Sequence, residues 1–372
     1  MRLSRLFTYE AIRVRVEADD PESLDWLAEC VTPHFHVEVG GADAPTHVAL
    51  RQDPARHAAL SARGPAPDGE RIACFALDDR VVAHPRWSGS PGPIVFDEEF
   101  RVFYVADGLG RVEIVADGTR PWSRVALFRV LREVVTTACH GADRLMVHAA
   151  ALVADGRGVV LVGPKRAGKT SLLAHALAHP AVRFLANDRA VVADGGDAPA
   201  VRGMPTIVRV RPDMARFFPG PLRGCPRDPD QACLSRAEAR ERRLREMPPE
   251  APLVLNPAQF VALFGVEQAA VAPLRVVVFP RVTAEAAGLD VRALAPDEAA
   301  ARLHAALFPV PTGTSLAAAV ASAAPARPAA PGEIARRCRR LAERVRCVEC
   351  RLGPDAYADD PGARRLVEAI CA

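Results

Sequence analysis

The sequence predicts a mixed α/β protein, with a phosphate-loop core on a mixed sheet and a separate N-terminal α+β domain ahead of it. Three observations carry this prediction. Gly163-Pro-Lys-Arg-Ala-Gly-Lys-Thr170 reads G-x-x-x-x-G-K-T, preceded by the apolar run Val159–Val162 and followed by the helical run Ser171–Ala178. The apolar stretch Met146–Val153 ends in the tight-turn sequence Asp155-Gly-Arg-Gly158, so an antiparallel hairpin leads into the loop. Upstream, short strand patterns alternate with a helix-start signal.

In chain order, Ala11–Glu17 alternates as a half-buried strand, and Asp20–Glu29 carries a capping Asp before Pro and acids in its first turn. His34–Val39 and His47–Leu50 read as further strands, and the polar, Pro/Gly-rich stretch 51–70 reads as a loop. Phe100–Val105 and Arg111–Val115 flank a glycine-containing turn and predict a hairpin. Ser123–Thr137 places Val125, Leu127, Phe128, Leu131, Val134 and Val135 on or near one helical face. After the loop helix, Arg183–Val192 reads as one strand with Asn187-Asp188 in its middle, where acids are costly unless paired or metal-bound. Val201–Val210 is a loop and strand, and 219–231 is rich in Pro, Gly and charge. Ser235–Met247 is a charged helix, Pro252–Leu255 and Leu274–Phe279 are strands, and Pro296–Phe308 is an amphipathic helix. Ala317–Pro331 reads as an Ala/Pro-rich linker, and a last basic helix runs from Glu333 to Arg346. The expected divisions are 1–122, 123–311 and a 312–372 linker with a helical tail.

The loop chemistry follows from its residue types. Gly163 and Gly168 let successive N–H groups turn inward towards an anion, and the new helix adds its positive end. Gly163, Pro164, Lys165, Arg166, Ala167, Gly168, Lys169, Thr170 and Ser171 are the nucleotide-binding candidates. Lys169 is a point charge for the outer phosphates, and the Thr170 hydroxyl suits magnesium. ATP and Mg2+ are the expected cofactors. Of 48 Lys plus Arg, the only lysines are Lys165 and Lys169, both in this loop. Arginine is a planar fork and cannot replace a compact ammonium on a phosphate, so retention of Lys169 points to a working site.

Net charge of +3 argues against a general nucleic-acid or membrane binder, and no apolar run reaches membrane-spanning length. The expected location is cytoplasmic, with the nine cysteines as thiols. Cys347-Val-Glu-Cys350 has a short zinc spacing, with Cys338 and Cys371 as the remaining thiols; free thiols near a flexible tail are expected, with zinc as the alternative. His34, His36 and His47 read as scattered histidines rather than a metal site. The arginines of the charged helix, Arg236, Arg240, Arg242, Arg243 and Arg245, read as a solvated face, or as a lid over the nucleotide.

The strand with Val-His148, the hairpin, GPKRAGKT, the strand with Asn187-Asp188 and then Arg202-Gly203 together resemble HPr kinase/phosphorylase and its smaller relatives, some of which phosphorylate serine on peptides. The resemblance is clear over 145–210 and looser to 310. It implies the fold shared with ATP-dependent phosphoenolpyruvate carboxykinase. It also implies that Lys169 and Thr170 bind phosphate and magnesium, that His148 is a catalytic-site histidine, and that Asp188 is the general base on an acceptor hydroxyl. The chain departs from the family at Asn187, where the family has aspartate, and at Ala200, where it has a magnesium-binding glutamate.

The resulting expectation is an ATP-dependent kinase whose acceptor is a hydroxyl-bearing peptide, protein or small molecule. Asp188 is then either the base or only a metal-holding acid, and Arg189 either touches phosphate or pairs with Asp188. The alternatives are a phosphate-loop ATPase and a degenerate nucleotide-binding scaffold. Homo-oligomerisation stays open.

Overall fold

The computed structural model of the 372-residue chain describes residues 3–40, 43–64, 69–75, 81–118, 121–140, 144–195, 198–211, 225, 228, 230–241, 251–283, 288–309, 316, 331–353 and 367–368. It is mixed α/β and forms two compact units. The first comprises Met1–Ala142, Ala232–Arg242 and Val310–Pro328; the second comprises Asp143–Gln231, Arg243–Pro309 and Ala329–Ala372.

The first unit carries a nine-stranded mixed sheet. Its elements are β1 (Leu3–Tyr9), β2 (Ile12–Ala18), α1 (Pro21–Val31), β3 (His36–Val39), β4 (Thr46–Gln52), α2 (Pro54–Arg63), β5 (Arg71–Phe75), β6 (Val81–Ser88), β7 (Pro93–Asp97), β8 (Val102–Ala106), β9 (Arg111–Ala116) and α3 (Trp122–His140). The order is β3-β1-β2-β4-β9-β8-β7-β6-β5, with β4 parallel to both neighbours. The expected α1 and the β8–β9 hairpin are present, and Asp20 caps α1 by accepting from Ser23 N at 2.7 Å. The stretch expected as a loop after residue 51 instead holds a helix. Asp53 accepts from Arg56 N at 2.9 Å, Pro54 sits in the first turn, and Leu60 and His57 are buried, so caps and a small apolar face outweigh the polar composition. Helix α3 belongs to this unit, and its Phe128 meets Trp26 edge-on at 6.1 Å. Among the three upstream histidines, His34 is buried, His36 faces Glu38 and His47 faces Glu17.

The second unit begins with β10 (Arg144–Ala154), β11 (Arg157–Val162), α4 (Lys169–Leu177), β12 (Val182–Ala186), β13 (Arg189–Ala193), β14 (Ala200–Met204) and β15 (Val208–Val210). Helix α5 (Arg236–Glu241) is part of the first unit; β16 (Leu253–Leu255), α6 (Pro257–Phe264), β17 (Val271–Val282), β18 (Leu289–Ala293), α7 (Pro296–Ala305), α8 (Pro331–Arg344) and β19 (Arg346–Leu352) complete the second. The predicted hairpin is there: β10 and β11 pair antiparallel across an Asp155–Gly156 turn with φ of 49° and 74°, as a type I′ turn requires. β11 also runs parallel to β17, and the pairings β10–β11–β17–β14–β13 close a ring. Alternate residues of these strands face two cores. Leu152, Leu161 and Val278 meet Leu172 and Leu173 of α4 and Phe260 of α6 on one face. Val153, Val160 and Val277 meet Leu303 of α7 and Leu341 of α8 on the other.

Three further expectations change. The single strand 183–192 is two strands, β12 and β13, broken at Asn187-Asp188. The tail is not wholly helical: β19 lies in the sheet, parallel to β17, with Cys347, Val348, Glu349 and Cys350 buried. Cys347 faces one core and Cys350 the other, so the pair cannot bind one metal, and these thiols lie in the protein's interior. Burial pushes the Cys350 thiol up to about 12 and those of Cys338 and Cys347 up to about 11. The Ala317–Pro331 linker up to residue 330, Cys371, most of 219–231 and the end of the charged helix from Arg242 lie outside the described residues. No helix among the described residues is long and apolar enough to cross a membrane.

Candidate functional site

The site forms where β10 changes partners on both edges. On one edge it pairs with β11 through Ala149–Ala154, until β11 leaves the sheet at Val162 to enter the loop. Its other edge pairs with β12 through Ala151–Ala154 and with β13 through Arg144–His148. Between those two strands, Asp188 is anchored by its carbonyl, which accepts from Ala149 N at 2.9 Å. β10 lies between β11 and the two strands, β12 and β13, that flank Asp188.

Both glycines of the motif sit where another residue would be strained or crowded. Gly168 sits at φ 100° and begins α4 with no side chain of its own to cap the helix's first N–H groups. A Cβ at Gly163 would come within 2.9 Å of the Ala167 Cβ, so the two ends of the loop approach too closely for any other residue. Pro164, Lys165 and Arg166 are exposed, Ala167, Gly168 and Thr170 half-buried, and Gly163 and Ser171 buried. Lys169 is buried, and its ammonium donates to the carbonyls of Gly163 at 2.7 Å and Pro164 at 3.1 Å. The lysine thus braces the loop from within and holds its charge at the helix start.

His148 and Asp188, remote in sequence, meet in the fold: Nε2 of His148 lies 2.9 Å from Oδ1 of Asp188, with side chains 37% and 38% exposed. Burial pushes the Asp188 carboxyl up, but the His148 hydrogen bond and charge, then Arg189 and Lys169, outweigh it and hold the group below its ordinary range. An ionised carboxylate only accepts, so Nε2 carries the hydrogen. The Lys169 charge contributes the least of these influences on the carboxylate. Arg189 lies opposite His148 across the β10–β13 pair.

Two neighbours take parts that their local sequence did not indicate. Asn187 is buried; its Oδ1 accepts from Thr206 Oγ1 at 2.8 Å and its Nδ2 donates to Ile207 O at 3.5 Å. This amide clips the β14–β15 connection, a task for which a carboxylate lacks the donor. Phe308 is the second. The expected helix to Phe308 ends at Ala305, and residues 306–308 are drawn onto β10, with Leu307 bridging Val147. No local pattern marks either role, since both partners lie far along the chain. Arg202 is half-buried on β14 opposite Val191, and Ala200 begins that strand.

Among the described residues, no group of three or more His, Cys, Asp and Glu gathers as a metal site. The donors that are present, the Thr170 hydroxyl and the Asp188 carboxylate, are hard oxygens. Each is a donor type that magnesium takes. No family model matches the chain, and no curated protein was found similar to it.

Proposed function

We propose that the second unit is an ATP-dependent phosphotransferase with a core of the HPr kinase/phosphoenolpyruvate carboxykinase type, and that it moves the γ-phosphoryl group to a hydroxyl of a peptide, protein or small molecule. The observation that carries this reading is the His148–Asp188 pair beside β10, whose neighbouring strand β11 runs directly into the glycine loop. A pure phosphate-binding loop needs no such pair, whereas a hydroxyl acceptor needs somewhere for its proton to go.

In the proposed reaction the loop N–H groups and the α4 N-terminus hold the phosphates, and Lys169 exchanges its carbonyl partners for the outer phosphate oxygens. Thr170 and Asp188 would hold magnesium, which when bound neutralises phosphate charge. The acceptor oxygen attacks the γ-phosphorus, the bond to ADP breaks, and the acceptor proton passes to Asp188, with His148 hydrogen-bonded behind it. Held ionised, Asp188 is ready to accept without first losing a proton.

The test is incubation with γ-labelled ATP and a panel of seryl peptides and hydroxylated small molecules. Label on an acceptor, lost in Asp188→Asn, supports the reading. Free phosphate without an acceptor would make the protein an ATPase, and tight nucleotide binding without turnover a scaffold. Absence of nucleotide binding overturns all three.

A further inference from the structure

We propose that Phe308 is a positioning residue for the His148–Asp188 pair, its ring forming the wall that keeps the imidazole aimed at the carboxylate. The catalytic consequence rests on the phosphotransfer reading above; the positioning itself does not.

When β11 turns away into the phosphate loop, β10 is left with an unpaired edge from Arg144 to His148. Residues 306–308 fill it. His148 N donates to Ala306 O at 2.8 Å, and Phe308 N donates to Met146 O at 2.9 Å. These bonds fix the backbone of Phe308 beside His148. Its ring lies 5.4 Å from the imidazole, tilted by 48°, and the Arg189 guanidinium sits 4.6 Å from the ring centroid. Arg189 and His148 are cross-strand partners, so three side chains from three segments form one group. An aromatic face attracts the guanidinium and gives the imidazole a flat surface. A half-exposed imidazole held by one hydrogen bond would otherwise lose rotamer freedom with little in return. The phosphate loop takes β11 from the sheet, and the segment that replaces it brings the group that orients the histidine.

The test uses the full chain with Phe308→Leu, Phe308→Met and Phe308→Tyr. Leu and Met keep apolar volume without a ring face, and either alone suffices if the other fails to fold. The primary readout is nitrogen-15 NMR of the labelled histidines. The wild type and Phe308→Tyr should show His148 as the Nε2–H tautomer bonded to a carboxylate, a signature that Asp188→Asn abolishes. Phe308→Leu should lose it with the melting temperature little changed. In turnover, Phe308→Leu should lower kcat about tenfold, as a small misplacement of a reacting group does, with KM for ATP unchanged. Phe308→Tyr should restore it. Retention of the wild-type His148 signature in both Leu and Met variants overturns the proposal. Loss of the signature in a protein whose wild type transfers no phosphate leaves the positioning standing and rejects the phosphotransfer reading instead.

Discussion

The carboxylate of Asp97, in the first unit, is fully buried and receives four donors: Glu99 N at 3.0 Å and Phe100 N at 3.1 Å on one oxygen, Tyr104 OH at 2.8 Å and Arg129 Nη1 at 2.6 Å on the other. Arg129 reaches on to Glu99 at 2.7 Å and lies over the Phe100 ring at 4.0 Å. Asp188, in the second unit, accepts from His148 and keeps over a third of its side chain exposed. Both are aspartates beside a nitrogen donor, but Asp97 is saturated and sealed, while Asp188 is held ionised with surface to spare. A structural carboxylate spends its lone pairs on the protein; one able to meet a substrate keeps some back.

Asp188→Asn sharpens this comparison most. It should cut phosphoryl transfer about 100- to 10,000-fold, the range for losing a positioned proton acceptor, with melting little altered. Equal turnover in variant and wild type would remove Asp188 from the chemistry. Lys169→Ala should cost about 100-fold or more, because a preorganised charge on the transferring group is lost. Unchanged turnover with calorimetrically equal ATP affinity would place the nucleotide elsewhere. Asp97→Asn should do the opposite of Asp188→Asn: a loss of about 3–5 kcal/mol in denaturant unfolding, since a buried arginine loses the more deeply buried of its two carboxylate partners, with turnover per folded molecule retained. A stable but inactive Asp97→Asn protein would break the distinction between the two carboxylates.

Asn187→Asp is the subtler case. By family resemblance this change restores a pair of aspartates and should be neutral or activating. The structure reverses that expectation. The substitution removes the Nδ2 donor to Ile207 O and sets a charge against a carbonyl, so we expect a loss of about 1–3 kcal/mol and no gain in turnover. Higher activity at unchanged stability would restore the family reading. The smallest effect concerns pH. Because the folded-state pKa of Asp188 lies below its unfolded value, its pairing contributes stability at pH above the unfolded value and loses it as pH falls through the folded one. Wild type and Asp188→Asn should therefore differ least in stability in strong acid and most near neutrality. A difference that grows on acidification would contradict the depressed carboxyl.

By itself the sequence determined the hairpin that leads into the G-x-x-x-x-G-K-T loop and the helix that follows it, because a glycine pattern, an Asp-Gly turn and a hydrophobic period are local properties read over a few residues. It also marked His148, Asp188 and Lys169 as candidates through residue type and resemblance. The tertiary structure alone decided what each of them touches. The same reading took 51–70 for a loop because its composition is polar, while two caps and a few buried side chains were enough for a helix. It placed residues after 346 in a tail, while β19 completes the sheet beside β17 and sends Cys347 and Cys350 to opposite cores. Asp188 meets His148, Asn187 meets Thr206 and Phe308 meets His148 only because β10 exchanges partners on both edges. Strand pairing joins residues far apart in the chain, and its register follows from which faces are buried, information that no single segment contains.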